Sequence, residues 1–394
     1  MDSAIPVLKL LPIQVLALAG SGVALGIGIK RKIPLIDRLN IPASIVGGLI
    51  FAVISLLLHD RVLNIEADAT LRDILLIAAF TTIGMNASLR VLRVGGLQLL
   101  ILAAIAGLCA ITQGAVGMGL AKLLGLDPRV GILAGTVALS GGPATALAFG
   151  PLFESQGVAG ATTLGVASAT FGIMVAGLVA GWTGGALIGQ SKSGQDNKAE
   201  SGMRAIAGKA SFQGHVMLVL FAMGLGNLLS LALQRTGIVL PGFIGALVAA
   251  VLIRNLDDRF QWIGIDQQTI EQLLGIVLPL FIAMAMLTLK LWELAAIALP
   301  LFFILLVEVC LTMAFCIYIT YRVMGRDYEA AVTSAGFCGF MLGITPNAMA
   351  SMEELREKHG PAPRAFLIVP LVGAFLIDLI NTAIITTCLN IFRG

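Results

Sequence analysis

The sequence predicts an all-α polytopic membrane protein made of two inverted repeats, each with five spans and one Gly-rich re-entrant hairpin. Composition is the first observation behind this prediction. Hydrophobic residues make up 58% of the 394 residues, charged residues 12%, and the mean hydropathy is +0.98. A soluble domain carries roughly 25% charged residues. Runs such as 94–121 and 294–319 also reach the ~20 apolar residues that a helix needs to cross a bilayer.

Internal repetition is the second observation. Residues 41–54 read IPASIVGGLIFAVI, and residues 240–253 read LPGFIGALVAAVLI. Further on, an Asp opens a Gly-rich apolar run at Asp127 and again at Asp327. One unit of about 200 residues therefore occurs twice. Two copies interrupted by Gly and Pro are typical of secondary transporters, whose binding site lies at the repeat interface.

The apolar runs divide the chain into two repeats and a linker. Residues 1–189 form the first repeat, 190–211 a polar linker rich in Ser, Gly and Lys, and 212–394 the second repeat. We predict five spans in each repeat: 11–29, 41–58, 73–89, 95–121 and 160–187, then 213–234, 239–254, 271–289, 294–319 and 365–391.

Two further Gly-rich runs, 130–152 and 328–352, are predicted to be hairpins that enter and leave the membrane on one side. The segment before Ser140 is about ten residues long, which makes a helix of ~15 Å, half the hydrocarbon core. The basic residues agree. With two re-entrant hairpins and the N-terminus outside, 17 of the 25 Lys and Arg face the cytoplasm, whereas two full crossings would leave 11 there.

This topology sets the orientation of the whole chain. Five spans are an odd number, so the second repeat is inverted relative to the first. The linker is then cytoplasmic and the C-terminus lies outside. The N-terminus lacks a basic region and a small-residue cleavage site, so no cleavable signal peptide is expected.

The hairpin tips supply the main candidate binding residues. The first tip reads SGGPAT from Ser140, and the second reads GITPN from Gly343. Gly lets the backbone turn and expose N–H groups, and Pro can open a half-helix whose N-terminus favours an anion. The alternative is that the glycines only permit close helix packing. The predicted substrate contacts are Ser140, Gly141, Gly142, Thr145, Gly343, Thr345, Pro346, Asn347 and Asp378.

Asp378 is a lone carboxylate in the apolar stretch VPLVGAFLIDLINTAIITT, with Asn381 on the same helical face. A charge at the bilayer centre costs ~2.5–3.5 kcal/mol on insertion scales, so it marks a functional site by default. Oxygens of Asp378, Asn381, Thr82 and Asn86 would suit Na⁺, and Asp378 would also suit a substrate ammonium. The alternative for each is polar packing between helices. For Glu308, in LLVEVCLTM, function and structure are equally open.

Other classes of function find little support in the chain. The three His residues fall at span ends or in loops, and there is no HExxH motif and no TVGYG filter. This argues against an intramembrane enzyme and against a channel of the potassium type. The five Cys lie in apolar stretches without metal spacing, which is typical of small core residues. The net charge of +3 does not indicate nucleic-acid binding. No cofactor is expected, with Na⁺ as the coupling ion.

Five long segments carry a family resemblance. They are LRDILLIAAFTTIGMNASL (71–89), SGGPATA (140–146), LKLWELAAIALP (289–300), AGFCGFMLGITPNAMASM (335–352) and VPLVGAFLIDLINT (369–382). In these segments the chain resembles the bacterial sodium/glutamate symporters. The resemblance implies Na⁺-coupled uptake of glutamate or a related small carboxylate across the bacterial inner membrane. It also implies a homodimer that moves like an elevator, with the hairpins and the last spans of each repeat in the moving domain.

The chain departs from this family at the hairpin tips. The family's first tip usually reads Gly-Gly-x-Gly-x-Gly, whereas here Ala144 and Ala146 replace glycines and Pro143 fills the variable place. In the second hairpin, Phe337 stands where a His is common and Met341 where a Gly is common. The added methyl groups and ring are expected to shrink or dry the pocket. Two alternatives therefore stay open: a Na⁺ symporter for a different organic anion, and a channel whose pore the hairpins line.

Overall fold

The computed structural model describes residues 6–189, 211–234, 242–294 and 297–392, without the side chains of 89–94, 233–234 and 375. The predicted linker at 190–210 lies outside these ranges. The α-helices are α1 Pro12–Lys32, α2 Pro34–Arg38, α3 Ala43–Leu58, α4 Thr70–Asn86, α5 Leu89–Leu123, α6 Pro128–Ile132, α7 Gly142–Ser155, α8 Ala161–Ile188, α9 Phe212–Gln234, α10 Gly242–Phe260, α11 Gln267–Met286, α12 Ala298–Ala314, α13 Tyr321–Val323, α14 Tyr328–Leu342, α15 Thr345–His359, α16 Pro363–Leu371 and α17 Ile377–Ile391. A 3₁₀ turn covers Leu291–Glu293, and wider π-helical turns cover Leu133–Ser140, Phe315–Thr320 and Val372–Leu376.

The ten predicted spans all coincide with helices in the described ranges. Seven helices there are long and apolar enough to cross a membrane, which confirms a polytopic membrane protein. Of the other three, α3 and α4 have 16 and 17 residues. The third, α10, carries Arg254, Asp257, Asp258 and Arg259 near its end, so its apolar part is short.

One element departs from the all-α prediction. Strands β1, Val7–Leu10, and β2, Asn64–Ala67, pair in parallel with Val7 opposite Asn64. Each strand is the extended segment that leads into a helix, α1 in one case and α4 in the other. The pairing satisfies backbone N–H and C=O groups that would otherwise need water.

The chain forms two compact units, and neither unit is one half of the sequence. The first unit comprises Met1–Asn86 and Ala207–Ala296, and the second comprises Ala87–Ile206 and Ile297–Gly394. Each unit therefore takes the corresponding part of both halves. The first unit holds the first three spans of each half, and the second holds the fourth span, the predicted hairpin and the fifth span.

Within the first unit, glycines let helix backbones touch. In α3, Gly47 faces the backbone carbonyl of Gly22 in α1 so closely that a Cβ would not fit. In the other half of the sequence, Gly245 of α10 faces the carbonyl of Gly226 in α9 in the same way. Small residues at such crossings are the usual way to pack membrane helices. The first two long helices of both halves thus pair by the same device.

Within the second unit, both predicted hairpins are pairs of short helices. The first runs down α6 and 133–140 and returns along α7, and the second runs down α14 and returns along α15. Helices α7, α14 and α15 have 14, 15 and 15 residues, or ~21–23 Å, less than the ~30 Å hydrocarbon core. Each Gly-rich run is thus broken into two short helices near its predicted tip. The side from which each hairpin enters stays a prediction, as does the inversion of the repeats.

Helix α8 supports both hairpins. Its Gly165 lies against Ala146 of α7, where a Cβ would come within 3.1 Å of the Ala146 Cβ. About two turns later, Gly172 faces the backbone carbonyl of Leu342 at the end of α14. A side chain at either glycine would push a hairpin away, so the spacing of the two arms depends on these small residues.

The base of each hairpin begins with an Asp that caps a helix. Asp127 accepts a hydrogen bond from the backbone N–H of Arg129, and Asp327 accepts one from Ala330. Each carboxylate also pairs with an Arg: the Arg129 Nε lies 2.9 Å from Asp127 Oδ1, and Arg364 Nη2 lies 2.7 Å from Asp327 Oδ1. The side-chain hydrogen bonds from Arg129 hold the pKa of Asp127 below its usual value.

We expect Asp127→Asn to lower the free energy of unfolding by about 0.5–1 kcal/mol at neutral pH, because Asn keeps the cap but loses a partly exposed ion pair. The pKa of Asp127 is depressed in the folded state, so its stabilisation is present above the usual Asp pKa and is lost as pH falls through the depressed value. Thermal unfolding in detergent at about pH 7 and about pH 3 should therefore show a Tm gap that narrows in acid.

The control for this prediction is Asp37→Asn, which removes a more exposed carboxylate 3.4 Å from Lys30. Its effect should be smaller at every pH. A Tm gap between Asp127→Asn and the unchanged protein that stays constant down to acid pH would contradict the prediction.

Candidate binding site in the second unit

The amide of Gln113 is the centre of a buried polar cluster. Its side chain, fully buried in α5, accepts a hydrogen bond of 2.5 Å from the hydroxyl of Ser140 at the first hairpin tip. Its Nε2 donates to Thr312 Oγ1 of α12 at 3.0 Å and to the backbone carbonyl of Met341 in α14 at 3.3 Å. One side chain therefore links both hairpins to α5 and α12, the fourth spans of the two halves.

A second amide satisfies the widened turn at 133–140. The hydroxyl of Thr136 donates to Asn381 Oδ1 at 2.5 Å, and Asn381 Nδ2 donates back to the Thr136 carbonyl at 2.8 Å. That carbonyl also accepts the backbone N–H of Gly141 at 3.1 Å. Because irregular backbone at membrane depth must find its partners within the protein, Asn381 of α17 has a structural role beside its predicted one.

Asp378 lies one turn before Asn381 at the start of α17 and is half-buried. Residues three apart on a helix share a face, so the carboxylate and the amide stand side by side, as predicted. Among the described residues, Asp378 has no hydrogen bond and no ion pair. The π-helical turn Val372–Leu376 comes directly before α17 in the sequence. It widens the helix between α16 and α17 just before the Asp378 carboxylate.

The two hairpin tips meet in the second unit. Gly142 has φ +69°, a conformation that favours glycine. A Cβ there would lie 3.4 Å from Ile344 Cγ2 and 3.7 Å from the Gly343 carbonyl. Helices α7 and α15 begin on either side of this contact, so the N-termini of two half-helices point to the same region. The sequence prediction that both tips form one site agrees with this arrangement.

The remaining predicted substrate residues differ in what they already bind. Thr345 donates its hydroxyl to the Gly373 carbonyl at 2.7 Å, while Pro346 next to it is exposed. Asn347 is fully buried; its Nδ2 donates to the Ile173 carbonyl at 2.8 Å, and its Oδ1 has no partner in the described part of the chain. Thr145 is buried at the first tip, packed against Gly141.

Two of the predicted sodium ligands belong to the first unit. The hydroxyl of Thr82 is buried and donates to the Ala79 carbonyl of its own helix at 2.7 Å. The Oδ1 of Asn86 is buried and has no hydrogen-bond partner within the described ranges. Each is an oxygen that could face a cation.

Sequence reasoning missed the residues that hold the cluster together: Gln113, Thr136 and Thr312. Gln113 was detectable, because it is an amide in the middle of the apolar run 94–121, and polar residues in spans are functional candidates. Thr136 and Thr312 carried no such signal, since Thr often bonds to its own helix. Met341, noted as a departure, places its Sδ 4.0 Å from the Ser140 hydroxyl and fills the space beside it.

The tips can bind an anion through dipoles but not through a basic side chain. In the hairpin segments 128–155 and 328–359, the Lys, Arg and His residues are Arg129, Arg356, Lys358 and His359, all near the bases. A carboxylate at the tips would therefore be held by backbone N–H groups, hydroxyls and helix N-termini. Asp378 lies in the same compact unit as the tips, and its role as the partner of a cation stays a prediction.

Comparison with known proteins places the chain beside characterised transporters. The family model described as "Sodium/glutamate symporter" matches residues 8–361. A relative from Escherichia coli K12, named sodium/glutamate symporter, is 36% identical over 386 residues, covering 94% of this chain and 96% of the relative. A relative of the same name from Haemophilus influenzae is 35% identical over 387 residues, covering 94% and 95%. Both are named as transporters rather than enzymes.

We expect Asn381→Ala to destabilise the second unit by about 1–3 kcal/mol, because it removes two buried hydrogen bonds to Thr136. Hydrogen exchange over 133–141 should become faster, and Tm in detergent should fall. The matched control is Asn390→Ala on the same helix, where the amide Nδ2 donates within α17 to the Thr386 carbonyl. Equal losses of Tm in the two variants would show that Asn381 does not hold the hairpin.

Proposed function

This chain belongs to the sodium/glutamate symporter family, and on that premise we propose that it takes up L-glutamate or a closely related small carboxylate together with Na⁺. The observation that carries the proposal is the meeting of two broken hairpins at Gly142 and Gly343, next to buried amides and in one compact unit with Asp378. Irregular backbone at membrane depth is tolerated only where it is buried in protein or lines a water-filled cavity, and in secondary transporters such broken helices form the binding site.

The substrate carboxylates would bind at the hairpin tips. The hydroxyls of Ser140 and Thr345 both donate internal hydrogen bonds, to the Gln113 amide oxygen and to the Gly373 carbonyl. An incoming carboxylate would replace these two oxygens as the acceptor. Backbone N–H groups at Gly142 and Gly343 and the N-termini of α7 and α15 would complete the anion site. Gly141, whose N–H already donates to the Thr136 carbonyl, would contact the substrate through its backbone surface. Thr145, Pro346 and Asn347 would line it, with Asp378 near enough in this proposal to receive the substrate ammonium.

Sodium would bind where oxygens are free and negative charge is present. In the second unit, Asp378 offers a carboxylate without a partner among the described residues, and Asn381 Oδ1 retains a second lone pair beside its bond from Thr136. Hard cations prefer such oxygens. In the first unit, Thr82 and the unpartnered Asn86 Oδ1 form a separate candidate pair.

The movement would be alternating access of the elevator type. The second unit holds the hairpins and the fourth and fifth spans of both halves in one compact body, which supports its role as the moving domain. We propose a homodimer in the bacterial inner membrane. The N- and C-termini would lie outside and the linker would be cytoplasmic, as the basic residues favour.

A Na⁺ symporter for a different organic anion is the second candidate. The observation that favours it is Met341, whose sulfur occupies the space beside the Ser140 hydroxyl where the family resemblance leads us to expect a Gly. A longer side chain at this point reduces room for the substrate. A panel of labelled amino acids and dicarboxylates, offered to proteoliposomes with an imposed Na⁺ gradient, decides between the two. Saturable uptake that requires the gradient also excludes a channel.

We expect Asp378→Asn to abolish Na⁺-driven uptake in proteoliposomes while the protein stays folded. The variant loses the negative charge of the carboxylate, which is the main electrostatic attraction for a cation in a site of low dielectric. The control is Glu271→Gln, which neutralises an exposed carboxylate on α11 and should transport normally. Uptake by Asp378→Asn with unchanged dependence on Na⁺ would mean that Asp378 only packs helices.

We also expect substrate and Na⁺ to bind with positive coupling, because each lowers the electrostatic cost of the other and no basic side chain lies at the tips. Calorimetry at several Na⁺ concentrations should show substrate affinity rising with Na⁺. Gly142→Val and Thr345→Val should weaken substrate binding more than Na⁺ binding, whereas Thr387→Val, at an exposed position of α17, should change neither. A substrate affinity independent of Na⁺ would refute this account of the site.

A further inference from the structure

Glu308 of α12 is a buried carboxyl group that the proposed site does not use. Its side chain has no exposure, and neither carboxylate oxygen has a hydrogen bond of normal geometry within the described residues. Leaving an ionised carboxylate in this state costs far more than leaving a neutral one. In a membrane-spanning helix, an ionisable residue buried in this way is a functional candidate by default.

The surroundings of Glu308 suit a proton better than a metal ion. Its Oε1 lies against two glycine backbones: a Cβ at Gly117 in α5 would come within 3.1 Å of it, and one at Gly135 within 3.3 Å. The Gln113 carbonyl packs on the same side of Gly135, 2.9 Å from that Cβ position. No group of three or more metal-binding side chains occurs in the described part of the chain. A cation would need several oxygens around it, whereas a proton needs no further ligand.

The charged and titratable groups around Glu308 do not supply a counter-ion. The segments packed on α12 are α5, α8, α14, 133–140 and 315–320, and α8 and 133–140 carry no titratable side chain. The Cys109 thiol of α5 is close enough to interact with a charge on Glu308. The other described titratable groups on these segments are Lys122, exposed at the end of α5, Cys316, Tyr318, Tyr328, Glu329 and Cys338.

We propose that Glu308 is a proton-binding site, protonated in the conformation described here and ionised in another conformation of the transport cycle. The proton would be exchanged with water: the O–H bond of the acid breaks as the proton passes to water, and it re-forms when the site closes. The transport assay below depends on the proposed function, because it measures Na⁺-driven glutamate uptake, whereas the infrared test does not.

The position of Glu308 couples its charge to the first hairpin. Gly135, against which its carboxyl packs, departs from helical geometry with φ −85° and ψ −105°. The next residue, Thr136, holds the hydrogen bonds to Asn381. Because the carboxyl is fully buried, water can reach it for ionisation only if its packing opens, and the contacts with Gly117 and Gly135 are part of that packing. Proton release and movement of this hairpin arm are therefore linked, and each favours the other.

Infrared difference spectroscopy tests the protonation itself and needs no substrate. The full-length protein in lipid is compared with Glu308→Gln, so that bands from Asp378 and the other carboxyls cancel. We expect the unchanged protein to show the carbonyl stretch of a protonated carboxylic acid near neutral pH, and the variant to lack that component. A difference spectrum with ionised-carboxylate bands alone would overturn the proposal.

Transport tests the coupling. In proteoliposomes loaded with a pH-sensitive dye, we expect Na⁺-driven glutamate uptake to move protons, and we expect Glu308→Gln to lose that movement together with the pH dependence of uptake. Glu357→Gln, which neutralises an exposed carboxylate of α15 in the same unit, should behave as the unchanged protein. Glu308→Asp serves as a second variant if Glu308→Gln does not fold, and it should shift the pH dependence rather than abolish it.

The outcomes separate this proposal from the proposed function. If the acid band is present but glutamate is not transported, the substrate assignment fails and the proton site stands. If glutamate uptake moves no protons and has the same pH profile in Glu308→Gln, Glu308 is a packing residue and the proton proposal is wrong. If Glu308→Gln instead weakens Na⁺ binding without any proton movement in the unchanged protein, Glu308 is a sodium ligand and the proposal is equally wrong.

Discussion

The hydrogen bonds of the Gln113 amide are the interaction on which the second unit depends. A helix broken at membrane depth exposes backbone and side-chain groups that lipid cannot satisfy. Gln113 meets this constraint by joining Ser140, Thr312 and the Met341 carbonyl. Asn381 does the same for the widened turn at Thr136. The broken hairpins can exist because amides from neighbouring helices replace the water that the tips would otherwise need.

These amides act together with glycines that bring the backbones into range. Gly165 and Gly172 of α8 allow both hairpins to approach one helix. Gly142 permits the left-handed turn that starts α7 beside Ile344. Hydrogen bonds need donor and acceptor within about 3 Å, so a side chain at these crossings would break the polar cluster as well as the packing. The hydrogen bonds of the polar residues therefore depend on the close packing that the small residues allow.

Two carboxyl groups in the second unit stand in contrasting surroundings. Asp378 is half-buried, next to an amide that still has a free lone pair, at the end of a widened helical turn. Glu308 is fully buried against two glycine backbones. The first can gain oxygen ligands and water, whereas the second has room for neither without movement. This difference in access, rather than in chemistry, is the reason for assigning a metal cation to one and a proton to the other.

Much of the fold was accessible from the sequence, because the bilayer imposes length and polarity on each span. Long apolar runs, the Gly-rich interruptions at 130–152 and 328–352, and the isolated Asp378 are local patterns. The apolar runs correspond to helices and the Gly-rich stretches to breaks between short helices, whereas the role of Asp378 stays a prediction. The family resemblance followed from the same segments. The pairing of β1 with β2 was not accessible, since four-residue extended segments carry no distinctive pattern.

The tertiary structure alone decided which residues work together. The compact units cut across both halves of the sequence, because helices distant along the chain, such as α4 and α10 or α8 and α14, pack against each other. For the same reason Gln113 meets Ser140 and Thr312, and Glu308 meets Gly117 and Gly135. A sequence shows that a polar residue lies in an apolar helix, but whether that residue finds a partner depends on the faces that other helices present. The sequence by itself therefore determined the spans, the Gly-rich interruptions and the candidate carboxylates, and only packing determined their partners.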